Sequence, residues 1–264
     1  MTDAQVQPAG CLLELSPDWL ILRASENAHG FLGEYHQRLI GEPLAEFTLA
    51  QALHDLRNSL SRQRGSSGIA RAYRVRLIDE PRYFDVAFQL LESTILLEIL
   101  PSADTGYGEW LGSVSRLIEG LGNTDRRAMA EGAARRMRAL TGFDRVALLL
   151  GEDRFESSRG KLPELPVSGE LPAIVADSSA DPLQLFPRHS DEGVEGALLR
   201  SPTLKQLEEL RAAGVGSTLC VPVIRNGEIV GTFQCANRTA RPPSFELHAA
   251  AELFAQVYGM VSSE

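Results

Sequence analysis

The dipeptide Asn226-Gly227 stands between two β-capable apolar runs, Thr218–Ile224 and Ile229–Cys235. A two-residue loop of this kind takes a type I′ turn, which needs φ > 0 at both positions and matches the twist of the strands it joins. The second half of the chain must therefore be built around an antiparallel hairpin. A helix at Leu204–Ala213, closed by Gly214, precedes the hairpin, and a helix at Phe245–Val261 follows it. Upstream lie a helix from Trp110 to Leu121, with Trp110, Leu111, Val114, Leu117, Ile118 and Leu121 on one face, a helix from Arg126 to Leu140, and a strand at Arg145–Leu150.

The first hundred residues follow a different order. Cys11–Leu15 and Trp19–Ala24 flank the turn Ser16-Pro17-Asp18 and read as a hairpin. Short helical pieces follow around Phe31–Leu39, then a helix from Leu49 to Arg62 whose Leu49, Ala52, Leu53, Leu56 and Leu60 form one buried stripe. Strands are expected at Ile69–Ile78, Tyr83–Leu91 and Thr94–Leu100. Strands and helices in this order predict an α+β class, with helices on one side of an antiparallel sheet. The polar stretch Pro101–Gly108 looks like a joint, so the chain divides into a domain at 1–104 and another at 105–264. Between Gly151 and Ser201 the sequence is irregular and rich in proline, serine and acid. A loop of that length within a domain points to function or mobility.

Composition then removes several function classes. With 35 acidic against 26 basic side chains the formal charge is −9, the wrong sign for a face that grips nucleic-acid phosphates. No apolar run reaches the ~20 residues of a membrane span. Cys11, Cys220 and Cys235 have no CxxC spacing and are too few for a disulfide framework, which suits the cytoplasm. They read as small core hydrophobes, with Cys11 the one candidate for attaching an electrophilic ligand. His29, His36, His54, His189 and His248 show no metal-ligand spacing, so no metal site is expected. No phosphate loop, nucleophile elbow, HExxH motif or EF-hand loop occurs. Gly214-Val215-Gly216 lacks the third glycine of a nucleotide fingerprint and follows a helix. Nothing here argues for an enzyme.

Several stretches in order carry a family resemblance. Gln7-Pro8-Ala9-Gly10, Leu12-Leu13, Ser16-Pro17-Asp18-Trp19, Ala24-Ser25-Glu26-Asn27-Ala28 and Ile40-Gly41-Glu42-Pro43-Leu44 stand in the first domain, which ends with Ile95-Leu96-Leu97-Glu98-Ile99. The second has Leu140-Thr141-Gly142-Phe143-Asp144-Arg145-Val146, Leu199-Arg200-Ser201, Leu207 to Val215, Arg225 to Gly231 and Gln234-Cys235-Ala236. From about Gln7 to Ser263 the chain resembles the PAS–GAF module of bacterial phytochromes. The resemblance implies a PAS-like antiparallel sheet followed by a GAF antiparallel sheet with helices. It also implies a light sensor that holds a linear tetrapyrrole, biliverdin, in the GAF pocket.

Such a pigment carries two propionates and a protonated ring system, which require cationic or hydroxyl donors and carbonyl or carboxylate acceptors. Matched position by position, the sequence departs from the family. The pocket tyrosine falls at Leu149, the aspartate of the acceptor stretch (matched by Pro166-Val167-Ser168-Gly169-Glu170-Leu171-Pro172) at Glu170, and two histidines at Gln206 and Asn237. The two propionate-binding serines fall at Cys220 and Pro222, while Arg200 survives as a remnant propionate contact or as a surface ion-pair partner. The pocket is therefore expected to be degenerate and to hold no cofactor. In the family the pigment cysteine lies in an N-terminal extension that also threads a knot. Six residues precede Gln7 and none is cysteine, so the knot is expected to be lost or reduced.

Three functions follow from the resemblance: a light-insensitive signalling and interaction module, a biliverdin photoreceptor with noncovalent or Cys11-linked pigment, or a GAF that binds another small ligand through a remodelled Gly151–Ser201 region. In the family the first and last GAF helices form a bundle between protomers. The matching helices 110–121 and 245–261 are strongly apolar here, and Leu247, Ala250, Leu253, Phe254, Val257, Tyr258 and Val261 exceed a single stripe. A homodimer is expected, with an output domain or signalling partner receiving the signal.

Overall fold

The structure, a computed structural model, describes residues 4–62, 68–103, 109–119, 121, 125–160, 165, 170–188 and 193–262. Residues 104–108 of the expected joint, and Pro166-Val167-Ser168-Gly169, lie outside the described residues, as do the side chains of Trp110 and Leu111. Packing divides the chain into two units, Met1–Asp104 with Ala180–Ser201, and Thr105–Ser179 with Pro202–Glu264.

In chain order the first unit contains β1 (Gln5–Val6), β2 (Cys11–Leu15), β3 (Ile21–Ser25), α1 (His29–Leu32), α2 (His36–Leu39), α3 (Ala50–Arg62), β4 (Ala70–Val75), β5 (Phe84–Leu90) and β6 (Ile95–Pro101). The second contains α4 (Glu109–Ile118), α5 (Arg126–Thr141), β7 (Arg145–Leu150), β8 (Asp153–Ser158) and β9 (Ile174–Val175). The chain then enters the first unit as β10 (Leu183–Phe186). It returns to the second as α6 (Leu204–Ala212), β11 (Ser217–Arg225), β12 (Glu228–Asn237) and α7 (Phe245–Val261).

The first unit's sheet runs β1-β10-β3-β2-β6-β5-β4. Leu13, Leu15, Ile21, Phe88, Leu97 and Ile99 form a core with Phe31, Leu39 and Leu56 from the helices, so the amphipathic stripe of α3 is buried as its spacing requires. The strand β6 is apolar at nearly every position because both of its faces are covered. Val194, Ala197, Leu198 and Leu199 are all buried as well, although they lie in no helix or strand.

The stretch Gly151–Ser201, expected to be irregular, instead contains β8, β9 and β10. The polar sequence of β8 shows no apolar alternation, and β9 and β10 have two and four residues. Such short elements become strands through their partners and carry little propensity of their own. Residues 180–201 group with the first unit, where β10 pairs antiparallel with β1 on one side and β3 on the other.

Residues 4–7 pass between two stretches of that segment. β1 pairs with β10 on one edge. On the other edge Val6 bridges Arg200, Gln7 N–H donates to the Leu199 carbonyl at 2.9 Å, and Ser201 N–H donates to the Gln5 carbonyl at 2.8 Å. The short strand β1 is thus held between them.

The second unit's sheet runs β8-β7-β12-β11-β9. Asn226 and Gly227 have φ of 53° and 83°, the positive values the hairpin turn demands. Asp125 caps α5 by accepting from Arg127 N–H and Ala128 N–H, and Ser244 caps α7 by accepting from Leu247 N–H. Phe233 of β12 meets the rings of Phe254 and Tyr258 edge-on, at 6.0 and 5.8 Å between centroids, and so fixes which face of the sheet α7 covers. No helix among the described residues is long and apolar enough to cross a membrane.

Candidate functional site

The site follows from strand alternation in the second unit. Val221 lies opposite Phe233 and shares the face toward α7, together with Leu219 and Val223. The alternate positions Thr218, Cys220 and Pro222 occupy the other face. Register places Pro222 opposite Thr232, and Thr232 opposite Leu149. Cys220 lies opposite Gln234, which in turn is opposite Ala147. Three of the residues singled out from sequence, Leu149, Cys220 and Pro222, are thus brought onto one face of one sheet.

Across that face lie α6 and the stretch around Leu171. Leu171, Val175, Leu210, Val215 and Ala236 form an apolar cluster against which Leu165, Ala213 and Cys220 pack. Gln206 is buried in the first turn of α6, where Thr203 and Gln206 make a reciprocal capping box. Its Nε2 also donates to the Glu170 carbonyl at 3.2 Å. The Gln206 side chain therefore holds the helix start and the 170 region together, while the Glu170 side chain is exposed.

Asn237 lies at the end of β12, on the opposite alternation from Gln234 and Ala236. Its Oδ1 accepts from Asp144 N–H, and its Nδ2 donates to the carbonyl and hydroxyl of Thr239. Asn237 ties down a strand end and is not grouped with the other positions. Arg200 belongs to the first unit, where its carbonyl accepts from Gln7 Nε2 at 3.1 Å and its Nε is buried without a hydrogen-bond partner.

Sequence reasoning missed a charged group on the same face. Register sets Arg154 beside Leu149, Glu156 beside Ala147, and Arg145 opposite Ala236. Arg145 Nη2 reaches Glu156 Oε1 at 2.5 Å, and Arg154 pairs with the same oxygen. Burial pushes the Glu156 carboxyl up, but the hydrogen bonds and charges of the two arginines outweigh it and hold it below the usual carboxylate range. Arg145 was visible only as part of the Asp144-Arg145-Val146 match, and its partner lies on a strand too polar to be read as one.

Burial disfavours thiolate formation at all three cysteines. Cys11 is fully buried, its sulfur accepts from Ser25 Oγ at 3.3 Å, and burial pushes its thiol up to about 12. Burial likewise raises Cys220 to about 12, and Cys235 further still. Thiols so far from ionisation do not attack electrophiles near neutral pH. No group of three or more His, Cys, Asp or Glu among the described residues could hold a metal ion.

Two antiparallel α+β units, the second with a helix-covered face and an opposite face roofed by α6, are the architecture of a PAS fold followed by a GAF domain. Family models agree: residues 2–102 match the PAS fold model and residues 125–262 match the GAF domain model. Over 96% of its length the chain is 25% identical to cyanobacterial phytochrome A of Nostoc sp. and 23% identical to a bacteriophytochrome of Pseudomonas aeruginosa. It spans 38% of the length of each of these relatives. The chromophore-binding domain of bacteriophytochrome RpBphP3 from R. palustris superposes with a TM-score of 0.78 at 24% identity, over 97% of this chain and 93% of that one. The chromophore-binding domain of Stigmatella aurantiaca phytochrome P1 gives a TM-score of 0.77 at 23% identity, over 97% and 95%. The chain belongs to the GAF domain family and, with the PAS fold ahead of it, is a bacteriophytochrome-like PAS–GAF module.

Proposed function

We propose that this chain is a phytochrome-like signal-transduction module that has lost bilin binding and acts as a dimerising, noncatalytic interaction unit. On this reading residues 1–104 and 105–264 are its two sequence domains, with 180–201 an excursion of the second. It works in the cytoplasm upstream of an output domain or signalling partner.

One observation carries the loss of pigment. Positions matched to pigment-holding side chains are occupied by groups that the protein itself engages. Gln206 is bonded to Thr203 and Glu170, Asn237 to Asp144 and Thr239, and Cys220 packs in an apolar cluster. A dianionic ligand entering there loses its hydration and gains few donors, which is unfavourable. Biliverdin added to the purified chain is expected to give no red absorption band beyond that of the free pigment. A red band that shifts on illumination would overturn the reading. The photoreceptor alternative keeps one observation in its favour, the buried and unpartnered Nε of Arg200, a donor suited to a propionate.

Dimerisation is supported by α7. Its inner side buries Leu247, Ala250, Phe254 and Tyr258, yet Leu253, Met260 and Val261 are exposed and Val257 is half-buried. Spacings of four, seven and eight residues place these four in a second stripe. An isologous contact between two copies would cover it. Leu253→Glu is expected to weaken the dimer at least about tenfold in sedimentation equilibrium, because it sets a charge in an apolar contact. A wild-type chain that sediments as a monomer, or a dimer indifferent to Leu253→Glu, would refute the assignment.

A further inference from the structure

A cavity of about 400 Å³ opens at one end of the first unit's sheet. Sites for small molecules begin near this size, at roughly 300 Å³. The turn between β2 and β3, the C-terminal half of α3 and the paired ends of β5 and β6 enclose it. Leu90 and Ile95 are direct cross-strand partners there, and Ile95 is also opposite Leu15, the last residue of β2 before the turn. Arg57 and Leu60 are three residues apart on α3 and therefore share the helix face that meets the cavity.

Trp19 is set into this wall by an unfavourable backbone. Its N–H donates to the Ser16 carbonyl and Ser16 N–H donates to the Leu20 carbonyl, each at 2.9 Å, which closes the turn with Trp19 at φ +68°. Glycine meets no penalty at such a φ, whereas a bulky side chain does. What the position gains is the indole ring. The ring is buried against the core of the unit, and the Arg57 guanidinium lies over it at 5.4 Å from the centroid. A cation–π contact holds a guanidinium by its face and leaves its N–H edges available.

Arg57 and Asp18 are the two charged side chains that line the cavity among the described residues. Among those residues neither side chain forms an ion pair or a hydrogen bond, with the other or with any third group. Between them the lining is apolar, from Trp19, Leu60, Leu90 and Ile95, and Leu90 is left 53% exposed. The cavity thus offers a fixed cation, an anion and an uncovered apolar surface, all within the first unit.

We propose that this cavity binds a small zwitterion with an apolar body, namely an apolar or aromatic α-amino acid. Its carboxylate takes the N–H edge of Arg57, its ammonium meets Asp18, and its side chain covers Leu60 and Leu90. The two charge-assisted contacts give orientation, and removal of apolar surface from water adds to the affinity. A ligand with a single charge satisfies one of the two groups and leaves the other without its counter-charge, so both charges together set the selectivity.

Isothermal titration calorimetry of the whole chain, with L-phenylalanine as the probe, tests this. L-phenylalanine is expected to bind at least about tenfold more tightly than phenethylamine, which lacks the carboxylate, or 3-phenylpropionate, which lacks the ammonium. Arg57→Gln is expected to weaken L-phenylalanine at least about tenfold without weakening phenethylamine. Asp18→Asn is expected to weaken the amino acid to a similar extent without weakening 3-phenylpropionate. An absence of binding at about 10 mM L-phenylalanine, either analogue binding as tightly as the amino acid, or affinity undiminished in either variant would overturn the proposal. The analogue series is read on the wild-type chain, so it decides the question even where a variant fails to fold.

Discussion

Phe233→Ala is expected to destabilise the second unit by about 3–5 kcal/mol, the usual cost of deleting a fully buried aromatic ring from a core that cannot collapse around the void. Phe233 is inaccessible to solvent and sits at the centre of β12, between β7 and β11. Its ring touches Phe254 and Tyr258 one turn apart on α7, so its removal loosens both the sheet and the helix that covers it. The backbone of β12 is paired on both sides, which limits how far the strand can move to fill the space. Denaturant titration followed by circular dichroism measures the loss as a lower midpoint. A change below about 1 kcal/mol would mean that Phe233 is not at the centre of this packing.

Gly216→Ala is the second severe change, because the obstruction is backbone. A Cβ at Gly216 would lie 2.4 Å from the Thr239 carbonyl carbon, 2.6 Å from Ala240 N and 2.7 Å from the Arg238 carbonyl oxygen. The same residue is bonded in both directions: its N–H donates to the Asn237 carbonyl and its carbonyl accepts from Ser178 N–H, each at 2.8 Å. The chain cannot yield without breaking those bonds, so one methyl group is expected to cost about 1–3 kcal/mol or more. Thermal unfolding of Gly216→Ala beside Gly227→Ala separates the two reasons for a glycine. The Gly227 site is open space at φ +83°, where only backbone conformation resists a side chain. A Gly216→Ala protein that melts with the wild type would contradict the close approach.

The two glycines of Gly214-Val215-Gly216 show how far sequence reading carried. Their spacing spoke against a nucleotide fingerprint, and Gly214, in left-handed conformation at φ +66°, follows α6 as a helix terminator should. The role of Gly216 was not legible, since the backbone pressing on it, at 238–240, lies more than twenty residues further along. The helix α7 was legible from end to end, Phe245–Val261, because its apolar spacing is local. The hairpin was legible for the same reason. By contrast β10 has four residues and no pattern of its own, and it is a strand because Ser25 and Ala24 on one side and Gln5 and Val6 on the other offer it backbone partners.

The candidate site divides in the same way. Leu149, Cys220 and Pro222 share a face by strand alternation and register. Asn237, taken from the same motif, belongs structurally to a strand-end tie, and Arg200 to the other unit. The Thr203–Gln206 capping box was present in the sequence as a Thr-x-x-Gln spacing. That it engages the side chain matched to a pigment-binding histidine is a feature of the folded chain.

The sequence by itself determined what depends on neighbours in the chain: the positive-φ turn at Asn226-Gly227, the amphipathic helices, the acidic balance and the order of motifs. Tertiary structure alone decided what depends on burial and on partners far away. It placed β10 in the sheet of the first unit, gathered Arg145, Arg154 and Glu156 on one face, and sealed Glu98 beneath residues a hundred positions distant. In sequence a glutamate within Ile95–Pro101 is a polar interruption of an apolar strand. Only with Leu198 and Leu199 over it does the carboxyl lose water and gain two backbone donors, and its proton affinity then becomes a property of the fold.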